Sequence, residues 1–479
     1  VDKPISNLQS PIPNPLLIGL VAGLVAVAGG LVLAFGGPVA GLIVVLAGIV
    51  TFVVLRNIEM GLWGVIAVIT LLPFATLPVD IGVTPTFLDV ALGAVVGIWV
   101  LRLATGQQRT IVTSPVTVPL VLFMIVAVFA FIFGLSNGPL TPTLLRHFAE
   151  LLLSLGFVLV VIDYCRTWER LERLLKVLLL AGAAAAAIGI FLWILPDDTA
   201  NQILNALQRV GYPGGWVIRY IEENRELAER AIGTSVDPNS FGGLLLLIGA
   251  LAGPQLVARR PLFPRWLTAG IVGLIFIALI LTFSRGALVG LVAGLGFVAL
   301  ARYRRLLPYM GIVALLFLLL PITQGYIARF VEGLRGQDLA TQMRFGEYTD
   351  ALTLIGRYPL FGVGFAGSPD IELYLGVANV YLTIAQEMGL LGLAAFLAVV
   401  GTVLGYAYFN RHYFRGRERA DAIWLGLHAA LIGGLTVGIF DHYLFNIDFH
   451  HAVTIFWMLV GLAVAATRLG IQDVARKSA

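Results

Sequence analysis

The sequence predicts an all-α fold, a polytopic bundle of transmembrane helices. Three features carry that prediction: 59% of the 479 residues are apolar, only 12% are charged, and mean hydropathy is +0.94. A soluble domain averages about 25% charged residues, so the composition is that of a membrane protein crossing the bilayer many times. The formal charge of +4 is dispersed along the chain and does not suggest nucleic acid. Cys165 is the only cysteine, which excludes an intramolecular disulfide, a Cys–Cys metal motif and a redox pair.

A spanning helix needs about 20 mostly apolar residues. Fourteen runs are candidates: 16–36, 38–55, 61–77, 87–104, 118–135, 144–163, 171–195, 241–258, 267–283, 286–301, 307–322, 379–408, 421–440 and 450–467. The first is too long for a signal-peptide core and lacks a clear cleavage site, so it reads as a retained span. Gly36-Gly37-Pro38, Leu77-Pro78 and Ser136-Asn137-Gly138-Pro139 punctuate the joins, as helix breakers should. The tight pairs at 36–38 and 283–286 leave the count at twelve to fourteen without changing sidedness.

Orientation follows from the basic residues. With the N-terminus inside and the spans alternating, 21 of the 31 Lys and Arg fall on the inner side, including RRPLFPR, RYRR and RHYFRGRER. By the positive-inside rule both termini are expected in the cytoplasm. The expected organisation is an N-terminal bundle (1–195), an extracytoplasmic loop (196–240), spans 241–322, a second extracytoplasmic loop (323–378), and C-terminal spans with a cytoplasmic tail (379–479). Both loops can hold amphipathic helices: Ile327, Phe330, Val331 and Leu334 follow i, i+3, i+4, i+7 spacing, as an interfacial helix would. A second stretch, 341–356, puts Arg344, Glu347, Tyr348 and Ala351 on one face.

Polar residues that could carry chemistry gather on the expected outer side. Arg285 stands in a two-residue outer turn, against the usual bias, and asks for an anionic partner. A guanidinium matches phosphate bidentately, and two arginines at one point could hold a diphosphate leaving group. The plainer alternatives are that Arg285 snorkels to lipid headgroups and that Arg344 pairs with Glu347 on a solvated helix. In DHYLFNIDFHH (441–451) the spacing fits no standard zinc motif. Asp441 or His442 suits a general base or a substrate-hydroxyl ligand, while His450 and His451 suit a helix start. Asp237-Pro238-Asn239 reads as a helix cap, and Glu387 as an intramembrane carboxylate, a functional candidate by its position.

Four motifs then fall in order: GTSVDPNSFGGLL (233–245), LTFSRGALVGL (281–291), Arg344 leading to YPLFGVGFA (358–366), and VANVYLTIAQEMGLLG (377–392). Together they resemble the O-antigen ligase and O-antigen polymerase family of bacterial membrane glycosyltransferases, over about residues 230–465. The resemblance implies an undecaprenyl-diphosphate-linked glycan donor and a glycan or lipid acceptor. It also implies inverting, metal-independent transfer with no cofactor at the outer face of the bacterial inner membrane. Arg285 and Arg344 would bind the diphosphate, and Asn239, Asn379 and Tyr381 the substrate. One position departs from the pattern. Ligases of the family carry His-Asn before Tyr-Leu, whereas this chain reads Ala378-Asn379. The base is then expected from Asp441, His442 or Glu347, and polymerisation of repeat units is favoured over transfer to a lipid A core. A flippase for the same lipid-linked sugars and a non-catalytic scaffold of an envelope-polysaccharide complex are the alternatives.

Overall fold

The computed structural model describes residues 56–77, 82, 84–319, 324–336, 339–368 and 376–478. The chain separates into two compact units, 1–58 and 59–479, and the architecture below is that of the second. The expected spans 16–36 and 38–55 lie outside the described residues.

Helices fall on the other twelve apolar runs: α1 (Ile58–Leu71), α2 (Phe87–Ala104), α3 (Thr117–Gly134), α4 (Pro142–Tyr164), α5 (Trp168–Ile194), α7 (Pro238–Val257), α8 (Arg265–Leu281), α9 (Arg285–Ala301), α10 (Leu307–Leu319), α13 (Val380–Asn410), α14 (Glu418–Val437) and α15 (His450–Ser478). Eight of these are long and apolar enough to cross a membrane, while α1, α8 and α9 are apolar but shorter. The protein is a multi-pass membrane protein. The first long loop folds into α6 (Asp197–Ala206) and a two-stranded antiparallel ribbon, β1 (Arg219–Tyr220) with β2 (Glu229–Arg230), paired Arg219 to Arg230. The second holds α11 (Gln324–Leu334) and α12 (Leu339–Arg357). Ile327 and Val331 of α11 are half-buried; the side chains of Phe330 and Leu334 lie outside the description.

Helix starts are set by local chemistry. Thr86 and Asp89 close a capping box on α2. Asp237 accepts from Ser240 N at 2.6 Å with Pro238 at the first helical position of α7, and Asn379 accepts from Tyr381 N and Leu382 N at the start of α13. Each satisfies backbone donors that the first turn leaves open.

Helix α15 is the central post. Its apolar stretch is wholly enclosed, and it packs along α4 and α14, while α14 packs along α7 and α9. Phe123 of α3, Phe396 of α13 and Trp457 of α15 meet with ring centroids 5.8–6.2 Å apart. Between α7, α9 and α14 the backbones themselves touch. A Cβ on Gly290 or Gly294 would collide with the carbonyl of Gly433 or Ala429, and one on Gly426 with that of Leu251. Small residues at such crossings let membrane helices gain packing that apolar side chains alone would not supply in lipid.

Helix α13 is broken. Gly389 lies at φ 68°, and the segment 359–364 fills the gap: Leu390 N donates to Pro359 O (2.7 Å), Val363 N to Gln386 O and Gly364 N to Glu387 O (both 2.9 Å). The backbone groups freed by the kink are therefore satisfied inside the protein, as a low-dielectric surrounding demands. Any Cβ at residue 389 would also strike the Leu360 carbonyl. Gly389→Ala is expected to cost more than ~2 kcal/mol, from strain at positive φ and overpacking together. Gly405→Ala on the same helix meets nothing within 4 Å and is expected to be neutral or slightly stabilising. Thermal melts of the two detergent-purified variants check the contrast.

Candidate active site

Helices α7 and α9 begin, and α14 ends, at one end of the glycine-packed trio. Asn239, Arg285 and Asp441 therefore converge there on a cavity of about 220 Å³, and Arg344 of α12 completes its wall. Arg285 and Arg344 are half-buried. Arg230 also lines the cavity, and facing these three arginines are Glu222, Glu223, Glu332 and Asp441. Arg285 occupies the first turn of α9, so the helix N-terminus adds partial positive charge on the same side.

The arginine-bearing turn is tightly built. Thr282 Oγ1 donates to Leu279 O (2.7 Å) and accepts from Ser284 N (3.2 Å), which holds Phe283 at φ 51°. Glu222 and Glu223 lie in the same left-handed region, at φ 54° and 53°. Non-glycine residues there are strained, each by about 1–3 kcal/mol. The ribbon is tied to the turn: Arg230 donates from Nε to Thr282 O (2.9 Å) and from Nη2 to Asn239 Oδ1 (2.7 Å), and Ala231 N donates to Leu281 O (2.8 Å).

Away from the cavity lining, the 377–380 segment is clamped between α12 and the end of α14. Glu347 Oε2 accepts from Ala378 N (3.0 Å). The Tyr348 hydroxyl reaches Ala378 O and Ile439 O (both 3.3 Å), and Asn379 Nδ2 donates to Ile439 O (3.0 Å). Tyr381 turns away and donates to Leu435 O (2.8 Å). Asp441 Oδ1 accepts from His442 N (2.8 Å) and lies 3.6 Å from His442 Nδ1. Burial pushes the Asp441 carboxyl above the ordinary aspartate range, with Asp237 adding to the rise, while His442 and Arg344 pull the other way.

Of the residues singled out in the sequence, Asn239, Arg285, Arg344 and Asp441 share the cavity wall. Glu347, Asn379, Tyr381 and His442 do not line it and instead position the segments that do. Arg230, Glu222, Glu223 and Glu332 are lining residues that the sequence reading did not single out. Arg230 carried one usable cue, its nine-residue separation from Asn239 across a loop that must turn back on α7.

Residues 270–397 match the family model for O-antigen ligase (Wzy_C). That stretch includes Arg285, Arg344 and the break in α13. The match supports a likeness of this segment to the O-antigen ligase family. Two curated proteins are also similar, both described as a probable peptidoglycan glycosyltransferase FtsW. The one from Marinobacter nauticus is 32% identical over 33% of this chain and 44% of its own length. The one from Legionella pneumophila is 28% identical over 45% of this chain and 58% of its own length. The chain thus spans about half the length of the curated relatives it matches.

The ribbon has a pH dependence of its own. Burial and the nearby Asp197 raise the Glu229 carboxyl from 4.5 to about 7. The folded state then holds this proton more tightly than the unfolded chain, so stability falls as pH rises from about 4.5 to about 7 and levels off above. Glu229→Gln removes that part of the profile. Melting temperatures between pH 5 and pH 8 should converge at the acid end and separate in the variant's favour at the alkaline end.

Proposed function

We propose that the protein is a membrane glycosyltransferase that extends or transfers a glycan from an undecaprenyl-diphosphate-linked donor at the extracytoplasmic face of the bacterial inner membrane. The observation that carries this reading is the meeting of Arg285 and Arg344 in one cavity with Asp441. The family match over 270–397 and the likeness to two probable peptidoglycan glycosyltransferases support it.

In this reading the two guanidinium groups hold the diphosphate and stabilise the charge that builds as the sugar–phosphate C–O bond breaks. An acceptor hydroxyl attacks the anomeric carbon from the opposite face, which inverts the centre. Its proton passes to Asp441, whose affinity for protons burial raises above that of an ordinary aspartate. His442 and Glu347 orient the neighbouring backbone. The step requires no metal or cofactor at the reacting atoms. Because residue 378 is alanine, with no group to take a proton, growth of a repeat-unit polymer is favoured over transfer to a lipid A core. A flippase reading draws on the broken helix α13, since transporters bind cargo at discontinuous helices. The break, however, is closed by backbone hydrogen bonds to 359–364, which favours the enzyme.

Purified protein given the lipid-linked oligosaccharide should release undecaprenyl diphosphate and form longer glycan. Arg285→Ala and Arg344→Ala should each lower kcat by ~100-fold or more, on the scale of losing one preorganised charge-stabilising donor. Asp441→Asn should abolish the rise of rate with pH. Full turnover in Arg285→Ala, at wild-type expression and melting temperature, would refute the diphosphate role.

A further inference from the structure

We infer that His147, Glu150 and His450 form a binding site for a zinc-class divalent cation, outside the cavity described above and independent of the proposed activity. His147 and Glu150 lie one turn apart on α4, and His450 is the first residue of α15. One donor atom from each falls within 4.8 Å of the others.

Two features point to a ligand rather than to an ordinary polar cluster. Glu150 and His450 are only 1% and 5% exposed. Their facing atoms, Glu150 Oε2 and His450 Nδ1, are 3.1 Å apart but are not aligned as a hydrogen bond. A buried carboxylate and imidazole left facing each other without an aligned hydrogen bond are costly. The 3.1 Å separation is near the roughly 3.3 Å edge of a tetrahedron whose centre lies ~2.0–2.1 Å from nitrogen and oxygen ligands. A cation at that centre would take up Glu150 Oε2 and His450 Nδ1 together.

Asp448 supplies the outer support. Its Oδ1 lies 3.1 Å from His147 Nδ1, which leaves Nε2 as the ligating nitrogen, the carboxylate–histidine–metal arrangement that fixes tautomer and ring direction. Two imidazoles and one carboxylate select a zinc-like ion over magnesium or calcium, and water takes the fourth position. Arg146 is the competitor. Its Nη2 stands 2.6 Å from His147 Nε2, so metal and guanidinium contend for one nitrogen. When metal takes it, Arg146 keeps Asp89 (3.4 Å) and Glu150 Oε1 (3.7 Å). The bound ion would pin α4 to the far end of the 441–450 turn, the turn that begins with Asp441 in the cavity wall.

The test uses the full-length, tag-free protein in detergent, stripped with chelator and titrated with zinc sulfate. Metal content after desalting and melting temperature are the readouts. One zinc per chain with a raised melting temperature is expected, and His147→Gln should lose both. Asp448→Asn, a change at a side chain that is 68% exposed and so compatible with folding, should weaken binding 10- to 100-fold. Arg146→Met should bind more tightly than wild type, because the competing cation is gone; a merely structural hydrogen-bond cluster would show no such gain. Wild-type zinc uptake no greater than that of the folded Asp448→Asn and His147→Gln variants would overturn the proposal, as would an Arg146→Met variant that takes up no zinc.

Discussion

The close approach of α7, α9 and α14 is the constraint on which the rest of the molecule depends. Lipid gives two apolar helices little reason to associate, so their attraction comes from packing and from backbone contact. Here glycine removes the side chain where the backbones meet, at Gly290 against Gly433, Gly294 against Ala429 and Gly426 against Leu251. Because all three helices are held at short distance along their length, their ends cannot splay. Asn239, Arg285 and Asp441 sit at those ends, and the cavity is the space the ends enclose. The position of the polar groups is thus a consequence of apolar packing several turns away.

Grouping arginines at a membrane edge is costly unless they are braced. The ribbon β1–β2 does that for Arg230, which spans from Thr282 O to Asn239 Oδ1 and so couples the starts of α7 and α9. The cost reappears as backbone strain at Phe283, Glu222 and Glu223. All three border the cavity. Strain that persists next to a charged cavity is held there by its surroundings, which here are the Thr282 hydroxyl bonds and the ribbon's tether to Leu281.

Hydropathy made most of the helices legible, since length and apolar content decide whether a segment can span; α2 runs over Phe87–Ala104, the expected 87–104. It could not show the break in α13, because Gly389 sits in an apolar run whose partner, the 359–364 segment, approaches from a distant loop. Nor could it show that α15 continues past 467 to Ser478. That extension is held by Asp473, which accepts from Trp168 Nε1 (2.9 Å) and Arg417 Nη1 (3.3 Å), and neither partner is near in sequence. In the cavity, Arg285 was readable because arginine is out of place in a short turn between two apolar runs. Arg230, Glu222 and Glu223 were not, because only the folded ribbon turns them toward it.

Ala378 shows how a backbone can stay in use where a side chain is missing. Its N–H is taken by Glu347 and its carbonyl by the Tyr348 hydroxyl, while the adjacent Asn379 caps α13 and grips Ile439 O. The segment therefore retains its place against the end of α14 with only a methyl group at residue 378. Two residues beyond Ile439 the chain presents Asp441 to the cavity. A carboxylate there meets Arg344's field, whereas Glu347 is committed to the Ala378 amide. The clamp at 378–380 and the Asp441 carboxyl are thus parts of one unit, joined through the end of α14.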